Sequence, residues 1–311
     1  FCASNQCVGC GGAAPDACAK RDMKLPACGS AGLCVECDKD GMCGDSTKPI
    51  CSSNMCRKCQ GDAECVSKLG ADPGVCMAHD DGRCATNGET VFVENVTARC
   101  MNAAAAGTVA VPYCGLQEGV TAAKATGKTL VFLRGAKAVF GASSAGPGKL
   151  AVVGQAGALI RGGAGPGISV SGGEAYVRGI VIEASDPGVS VASNGKLTIE
   201  SCAIRDNPGG GVLLNGGTLI LRNTRISGNG PGDFMGMGIL WGGVRMQSPA
   251  PGTLLDRVSI IDNKVAGISC SAAVSASGAL VTGNGDGSTN ISNSCGFTSC
   301  ATLGPTCGAQ P

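Results

Sequence analysis

The chain has 311 residues, enough for two domains, and a formal net charge of +1. Residues 1–84 carry 9 basic and 11 acidic side chains and the remainder 15 and 12, so neither part has the basic bias that nucleic acid or an anionic membrane demands. No apolar run approaches the ~20 residues of a membrane helix, so no membrane span is expected. Gly, at 52 residues, is well above the usual ~7%, and aromatics are only 3%. That composition suits many short strands joined by tight turns.

Fourteen of the 21 cysteines lie in the first 84 residues, and they repeat in fours. The units are Cys10, Cys18, Cys28, Cys34; Cys37, Cys43, Cys51, Cys56; and Cys59, Cys65, Cys76, Cys84. Units meet at Cys34-Val-Glu-Cys37 and Cys56-Arg-Lys-Cys59, and Cys7 and Cys10 repeat that junction. Cys2 and Cys7 therefore read as the end of a truncated unit. Small repeats this dense in cysteine replace an apolar core with disulfides, which persist only in oxidising surroundings. The expected location is extracellular or at the cell surface. Phe1 opens the sequence without Met or a signal peptide, as a processed, exported chain or a trimmed one would. Cys34, Cys37, Cys56 and Cys59 formally fit a zinc ribbon. Cys43 and Cys51 fall between those pairs, however, and a disulfide repeat accounts for every cysteine where a ribbon accounts for four. No cofactor is expected. Residues 1–86 are read as a disulfide repeat domain. His79, the single histidine, sits in Met-Ala-His-Asp-Asp as a solvated turn residue.

Residues 87–311 follow another period. Pro-Gly recurs at 147, 166, 187, 208 and 231, at intervals of 19, 21, 21 and 23. Apolar pairs recur in phase: Val177 and Ile182, Ile199 and Ile204, Leu221 and Ile226, Leu255 and Ile260, Ala276 and Val281. Three residues after each pair stands a small polar residue: Ser185, Asn207, Asn229, Asn263, Asn284. A coil of about 21 residues with two or three short strands is one rung of a right-handed parallel β-helix, with rungs ~4.8 Å apart. Stacking puts the aliphatics inward and the Asn residues in an internal amide ladder. Outward, Arg178, Glu200, Arg222 and Asp256 alternate in charge, and Glu183 stands above Arg205, which favours this register.

These features resemble the pectate-lyase-like superfamily of right-handed β-helix proteins, over roughly residues 88–295. Residues 90–135, from Thr-Val-Phe-Val-Glu-Asn through Pro-Tyr-Cys-Gly-Leu-Gln-Glu-Gly-Val to Lys-Thr-Leu-Val-Phe-Leu-Arg-Gly, resemble the start of many secreted bacterial β-helices. The resemblance implies a strand, an amphipathic helix around Leu116–Ala125 that covers the first rung, and a second strand. The cysteine repeats likewise resemble those that precede such domains in bacterial surface proteins. The expected fold class is all-β: a right-handed parallel β-helix over 87–311, preceded by the small disulfide-rich domain.

Of the remaining cysteines, Cys100 and Cys114 flank the start of the coil and make a natural pair. Cys270 with Cys295 is expected to join the last rungs, and Cys300 with Cys307 to close the terminal loop. Ten disulfides leave Cys202 as a buried free thiol, between the two inward positions of its rung. No catalytic residue is singled out. Polysaccharide hydrolases on this fold need paired carboxylates, and lyases a calcium cluster with an Arg or Lys base. Asp206 and Asp262 share a turn position but stand two rungs apart, ~10 Å by rung spacing, with Gly228 between. The glycine-rich run at 162–167 lacks a phosphate-loop Lys and reads as a rung turn. Asn229 to Asn263 spans 34 residues where 21 or 22 would serve. The surplus, within Asp233–Gln247, is either a longer buried rung or an interaction patch of Phe234, Met235, Met237, Trp241, Arg245 and Met246. The functional expectation is a non-catalytic extracellular structural or adhesive protein, a head-to-tail filament subunit in which residues 1–86 dock on the next β-helix. The alternative is a carbohydrate-active enzyme or a module binding a surface polysaccharide.

Overall fold

The computed structural model describes residues 2–3, 6–7, 18, 23–25, 27–29, 33–95, 98–135, 139–140, 142–144, 149–233, 240–285, 291 and 295. The chain divides into two compact units, residues 1–88 and 89–311.

In the first unit the cysteine repeat has a common shape. Position one leads into a short helical segment at position two: the 3-10 turn Asp40–Met42 just before Cys43, and the helix Asp62–Leu69 around Cys65. Positions three and four then face each other across antiparallel backbone, as Cys28↔Cys34, Cys51↔Cys56 and Cys76↔Cys84. The disulfides cross. Cys37–Cys51 and Cys59–Cys76 join one to three; Cys18–Cys34, Cys43–Cys56 and Cys65–Cys84 join two to four. An aspartate three residues after position one ties helix to hairpin: Asp40 accepts the Cys51 N–H at 2.7 Å and Asp62 the Cys76 N–H at 2.8 Å. The residue before position three is buried and apolar in each repeat, as Ala27, Ile50 and Val75. Lys68 Nζ donates to the carbonyls of Asp40 and Pro49, binding the third repeat to the second. The core here is largely sulfur: Cys59, Cys65, Cys76 and Cys84 cluster with Ile50. Cys2 and Cys7 face each other across an antiparallel strand pair, the register of positions three and four.

The second unit opens with strand Thr90–Val93, helix Leu116–Thr126 and strand Leu130–Leu133, the two strands pairing in parallel. The helix buries Leu116, Gly119, Val120 and Ala123. A Cβ at Gly119 would lie 2.4 Å from Val93 Cγ2, so only glycine lets the helix approach this closely. The outer edge of Thr90–Val93 is paired as well. Phe92 N–H donates to Gly107 O, Tyr113 N–H to Phe92 O, and Glu94 N–H to Tyr113 O. The Cys100–Cys114 disulfide fastens that segment. Beside it, buried Glu94 pairs with Arg99 and with Arg134, whose guanidinium lies 5.3 Å over the Phe92 ring. A first edge covered in this way offers no free template for strand addition.

From Leu130 to Thr282 the chain coils for about six turns as three parallel sheets, of eight strands counting Thr90–Val93, seven and six. The inward column of the first sheet is Val152, Val177, Ile199, Leu221, Leu255 and Ala276. That of the second is Ile160, Ile182, Ile204, Ile226, Ile260 and Val281. The third stacks Ile168, Val189, Val212, Val244 and Ile268, and beside them Val170, Val191, Leu214, Met246 and Cys270. All are buried in one continuous core. The second-sheet strands Ala203–Arg205, Arg225–Ser227 and Ser259–Ile261 are three residues long because left-handed turn residues bound them on both sides: Ser201, Asn223 and Arg257 before, Asp206, Gly228 and Asp262 after. The last rung is covered too, since Ala276 and Val281 are buried, Ile268 pairs with Ile291, and Cys270 is bonded to Cys295.

The surplus between Asn229 and Asn263 buries Trp241 and Val244, as the reading of a longer buried rung expects. Gly232–Asp233 pairs antiparallel with Leu240–Trp241 as a small hairpin, and Val244–Gln247 then resumes the third sheet. Phe234, Met235 and Met237 lie outside the described residues, as do Cys300 and Cys307.

Candidate functional site

The principal buried polar cluster is the amide ladder. Ser185, Asn207, Asn229, Asn263 and Asn284 are all within 2% of complete burial. Each Asn Nδ2 donates to the carbonyl of the inward isoleucine one rung before: Ile182, Ile204, Ile226 and Ile260, at 2.9–3.2 Å. Asn207, Asn229 and Asn263 also donate to the Oδ1 of the next Asn, at 2.8, 2.9 and 2.7 Å. Each Oδ1 accepts the backbone N–H of the preceding ladder residue. Ser185 begins the series, donating to Glu183 O and accepting the Gly162 N–H. Burial is tolerable because these groups satisfy one another.

The outer faces carry charge in register. Arg178, Glu200, Arg222 and Asp256 occupy one column of the first sheet. On the second, Glu183 takes Arg161 at 2.6 Å and Arg205 at 3.2 Å. The Tyr176 hydroxyl donates to Glu200 at 2.7 Å, and its pKa is pushed up by burial and by that bond. The third sheet differs. Its outward column runs Ser169, Ser190, Leu213, Arg245, Ser269, with Asn215 beside Gln247 in the next. Arg245 donates to Ser269 Oγ at 3.2 Å, and burial lowers its pKa.

Asp206 and Asp262 both sit in left-handed turns and are exposed. Each carboxylate lies over the glycine one rung on: a Cβ at Gly228 would come 2.5 Å from Asp206 Oδ1, and one at Gly283 2.7 Å from Asp262 Oδ1. They are successive caps of a turn column, two rungs apart, and do not converge. His79 is exposed in the turn between Cys76 and Cys84.

Two members of the expected surface patch are interior. Trp241 is only 1% exposed; its ring lies against Gly210 of the preceding turn and against Gly232, its partner in the hairpin, where added Cβ atoms would meet it within 2.8 Å. Met246 is an inward residue of the third sheet, also 1% exposed. The reason is local: the hairpin folds Trp241 back onto glycine turns, and the strand alternation of Val244–Gln247 sends Met246 inward and Arg245 out.

Cys202 is the free cysteine among the described residues. It shares a buried column with Ile180, Thr224 and Val258, and burial pushes its thiol pKa up to about 11. The four sulfurs of the formal zinc ribbon are bonded elsewhere: Cys34 to Cys18, Cys37 to Cys51, Cys56 to Cys43 and Cys59 to Cys76. A disulfide sulfur is not a thiolate ligand. Sequence reasoning overlooked the Cys-x-x-Asp of Asp40 and Asp62, although the motif recurs at Cys37 and Cys59. It also missed the Glu94, Arg99 and Arg134 cluster, for which no local signal exists.

A coil of three parallel sheets, an amide ladder and crossed cysteine repeats define the class: a parallel β-helix protein with an N-terminal disulfide-rich unit. Comparison agrees, since residues 157–302 match the family described as right handed beta helix region. No curated protein and no solved structure matches the chain.

Proposed function

We propose that this chain is a non-catalytic extracellular protein with a structural or adhesive role, a subunit of a bacterial surface or matrix that assembles head to tail. One observation carries the reading: the ties run along the direction in which the repeats stack. The amide ladder bonds rung to rung through Asn207, Asn229, Asn263 and Asn284. Ion pairs Arg161–Glu183–Arg205 bridge the rungs that lead into the ladder, and Lys68 ties the third cysteine repeat to the second, while crossed disulfides hold each of those two repeats internally. Serial repeats tied along their stacking axis resist extension and present long surfaces. The disulfides also support an oxidising compartment for the folded chain. Light scattering and electron microscopy at rising concentration test the reading. Multimers are expected, and a strictly monomeric protein refutes it.

A second reading, a polysaccharide-binding module or enzyme, draws on the third sheet, where Arg245, Asn215 and Gln247 occupy outward positions of neighbouring strands. Binding or turnover on a polysaccharide panel, lost in Arg245→Ala or in Asp206→Asn and Asp262→Asn, would favour it.

A further inference from the structure

We infer that the second and third cysteine repeats are each a four-thiolate site for zinc while their cysteines are reduced, and that oxidation expels the metal and locks the same sulfurs into the crossed disulfides. The ligands are Cys37, Cys43, Cys51 and Cys56 in one repeat and Cys59, Cys65, Cys76 and Cys84 in the other.

The crossed rule, one to three and two to four, gathers the four sulfurs of a repeat into one cluster instead of two separate staples. The Sγ atoms of Cys37, Cys43 and Cys56 lie within 4.8 Å of one another, as do those of Cys59, Cys65 and Cys76. The fourth sulfur is bonded to one of these three, Cys51 to Cys37 and Cys84 to Cys65. Zinc holds thiolates at ~2.3 Å, which at tetrahedral angles sets the sulfurs about 3.8 Å apart. Once the two bonds are reduced, shifts on the order of 1 Å per sulfur surround one ion. Thiolate sets of this geometry select zinc among the common divalent cations.

The frame that presents these sulfurs has ties of its own. Asp40 accepts the Cys51 N–H and Asp62 the Cys76 N–H, so in both repeats a carboxylate fixes hairpin to helix without a sulfur–sulfur bond. Lys68 Nζ, on the carbonyls of Asp40 and Pro49, brings a cation to the second repeat and offsets part of the negative charge of zinc with four thiolates. The core cannot replace a staple, because it is sulfur with Ile50. So small a unit needs a disulfide or a metal to fold. Before the disulfides form a metal serves that need, and structural zinc supplies folding energy directly. It also keeps the thiolates of one repeat together at the junction Cys56-Arg-Lys-Cys59, where cysteines of two repeats stand closest in sequence. The conversion balances. Two molecules of a small disulfide, such as glutathione disulfide, take four electrons from the four metal-bound thiolates; two protein disulfides form, and four small thiolates and one zinc ion leave.

The test uses the full chain, kept reduced without oxygen and titrated with cobalt(II) and then zinc. Cobalt should give the visible bands of a tetrahedral tetrathiolate, and zinc should bleach them. Other cysteines are reduced as well, so the sites are counted by difference after a weak chelator has removed loosely held metal. Cys51→Ser with Cys56→Ser should lower the retained zinc by one per chain, and Cys76→Ser with Cys84→Ser by one more. Both losses should persist in a Cys34→Ser background; if that change erases them, the metal sits on the set Cys34, Cys37, Cys56 and Cys59 that spans repeats, and the inference fails. Hydrogen exchange should find the Cys51 and Cys76 amides protected in the zinc-loaded reduced chain. Glutathione disulfide should then release zinc to a chromogenic chelator, and peptide mapping should recover Cys37–Cys51, Cys43–Cys56, Cys59–Cys76 and Cys65–Cys84. Missing tetrathiolate bands, retained zinc unchanged in both double variants, or zinc held by a chain whose Cys51 and Cys76 amides exchange freely overturns the inference.

Discussion

Asn229 stands in the middle of the ladder, and Asn229→Ala tests whether the ladder carries stability. The side chain is fully buried and makes four hydrogen bonds. Its Nδ2 donates to Ile204 O at 3.0 Å and to Asn263 Oδ1 at 2.9 Å; its Oδ1 accepts Asn207 Nδ2 at 2.8 Å and Asn207 N at 3.1 Å. Alanine removes all four and strands the Ile204 carbonyl and the Asn207 N–H, neither of which water can reach. At ~1 kcal/mol net per bond the loss is about 4 kcal/mol. For a unit of this size that lowers the melting temperature by roughly 8–16 °C. Asn229→Asp should be worse at neutral pH, because it buries a charge and turns an oxygen toward two acceptors. The assay is urea unfolding followed by far-UV circular dichroism, with exposed Arg225→Ala as the control, expected to cost less than about 0.5 kcal/mol. If Asn229→Ala falls within about 1 kcal/mol of that control, the ladder merely fills space and the reasoning fails.

Cys202 should resist thiol reagents in the native state at pH 8 and react once the chain is denatured. Its raised pKa means that the unfolded state ionises first, so stability present below the ordinary thiol value of about 8.5 should fall toward about 11. Cys202→Thr, copying Thr224 one rung on, should remove that fall; rapid native labelling would contradict the burial. Trp241→Ala should cost about 3–5 kcal/mol, whereas the half-exposed neighbour Leu240→Ala should be nearly silent; equal effects would mean that the ring is not packed. In the first unit, the Arg57 hydrogen bond and the Gln60 N–H lower the Glu64 pKa. That stability exists above the unfolded value of about 4.3 and is lost as pH falls, so Glu64→Gln should flatten the acid limb of an unfolding titration. Partial proteolysis with mass mapping should yield a Cys10–Cys28 linked peptide, and a Cys28 bond to any other cysteine would break the crossed rule.

The coil was legible in the sequence because its order is periodic. One residue per rung repeats at about 21, so Ile182, Ile204, Ile226 and Ile260 announce a stack, and Asn207, Asn229 and Asn263 a ladder beside it. Alternating charges at 178, 200, 222 and 256 set the register, since slipping by one residue would turn every side chain to the other face. The cysteine repeat was legible as a repeat, but its connectivity was not. Four cysteines allow three pairings, and the choice depends on which sulfurs the Asp40 and Asp62 hydrogen bonds draw together. The Asn229–Asn263 surplus was visible as a break in period, but the fate of its side chains was not. Trp, Met and Arg have the same composition whether exposed or buried. Only the hairpin, by folding Trp241 onto Gly210 and returning Met246 to the inward column, decided that these two side chains are interior. Periodicity reports contacts between equivalent positions; contacts between unlike positions, such as Glu94 with Arg134 or Trp241 with Gly210, leave no period to read and are settled by tertiary packing alone.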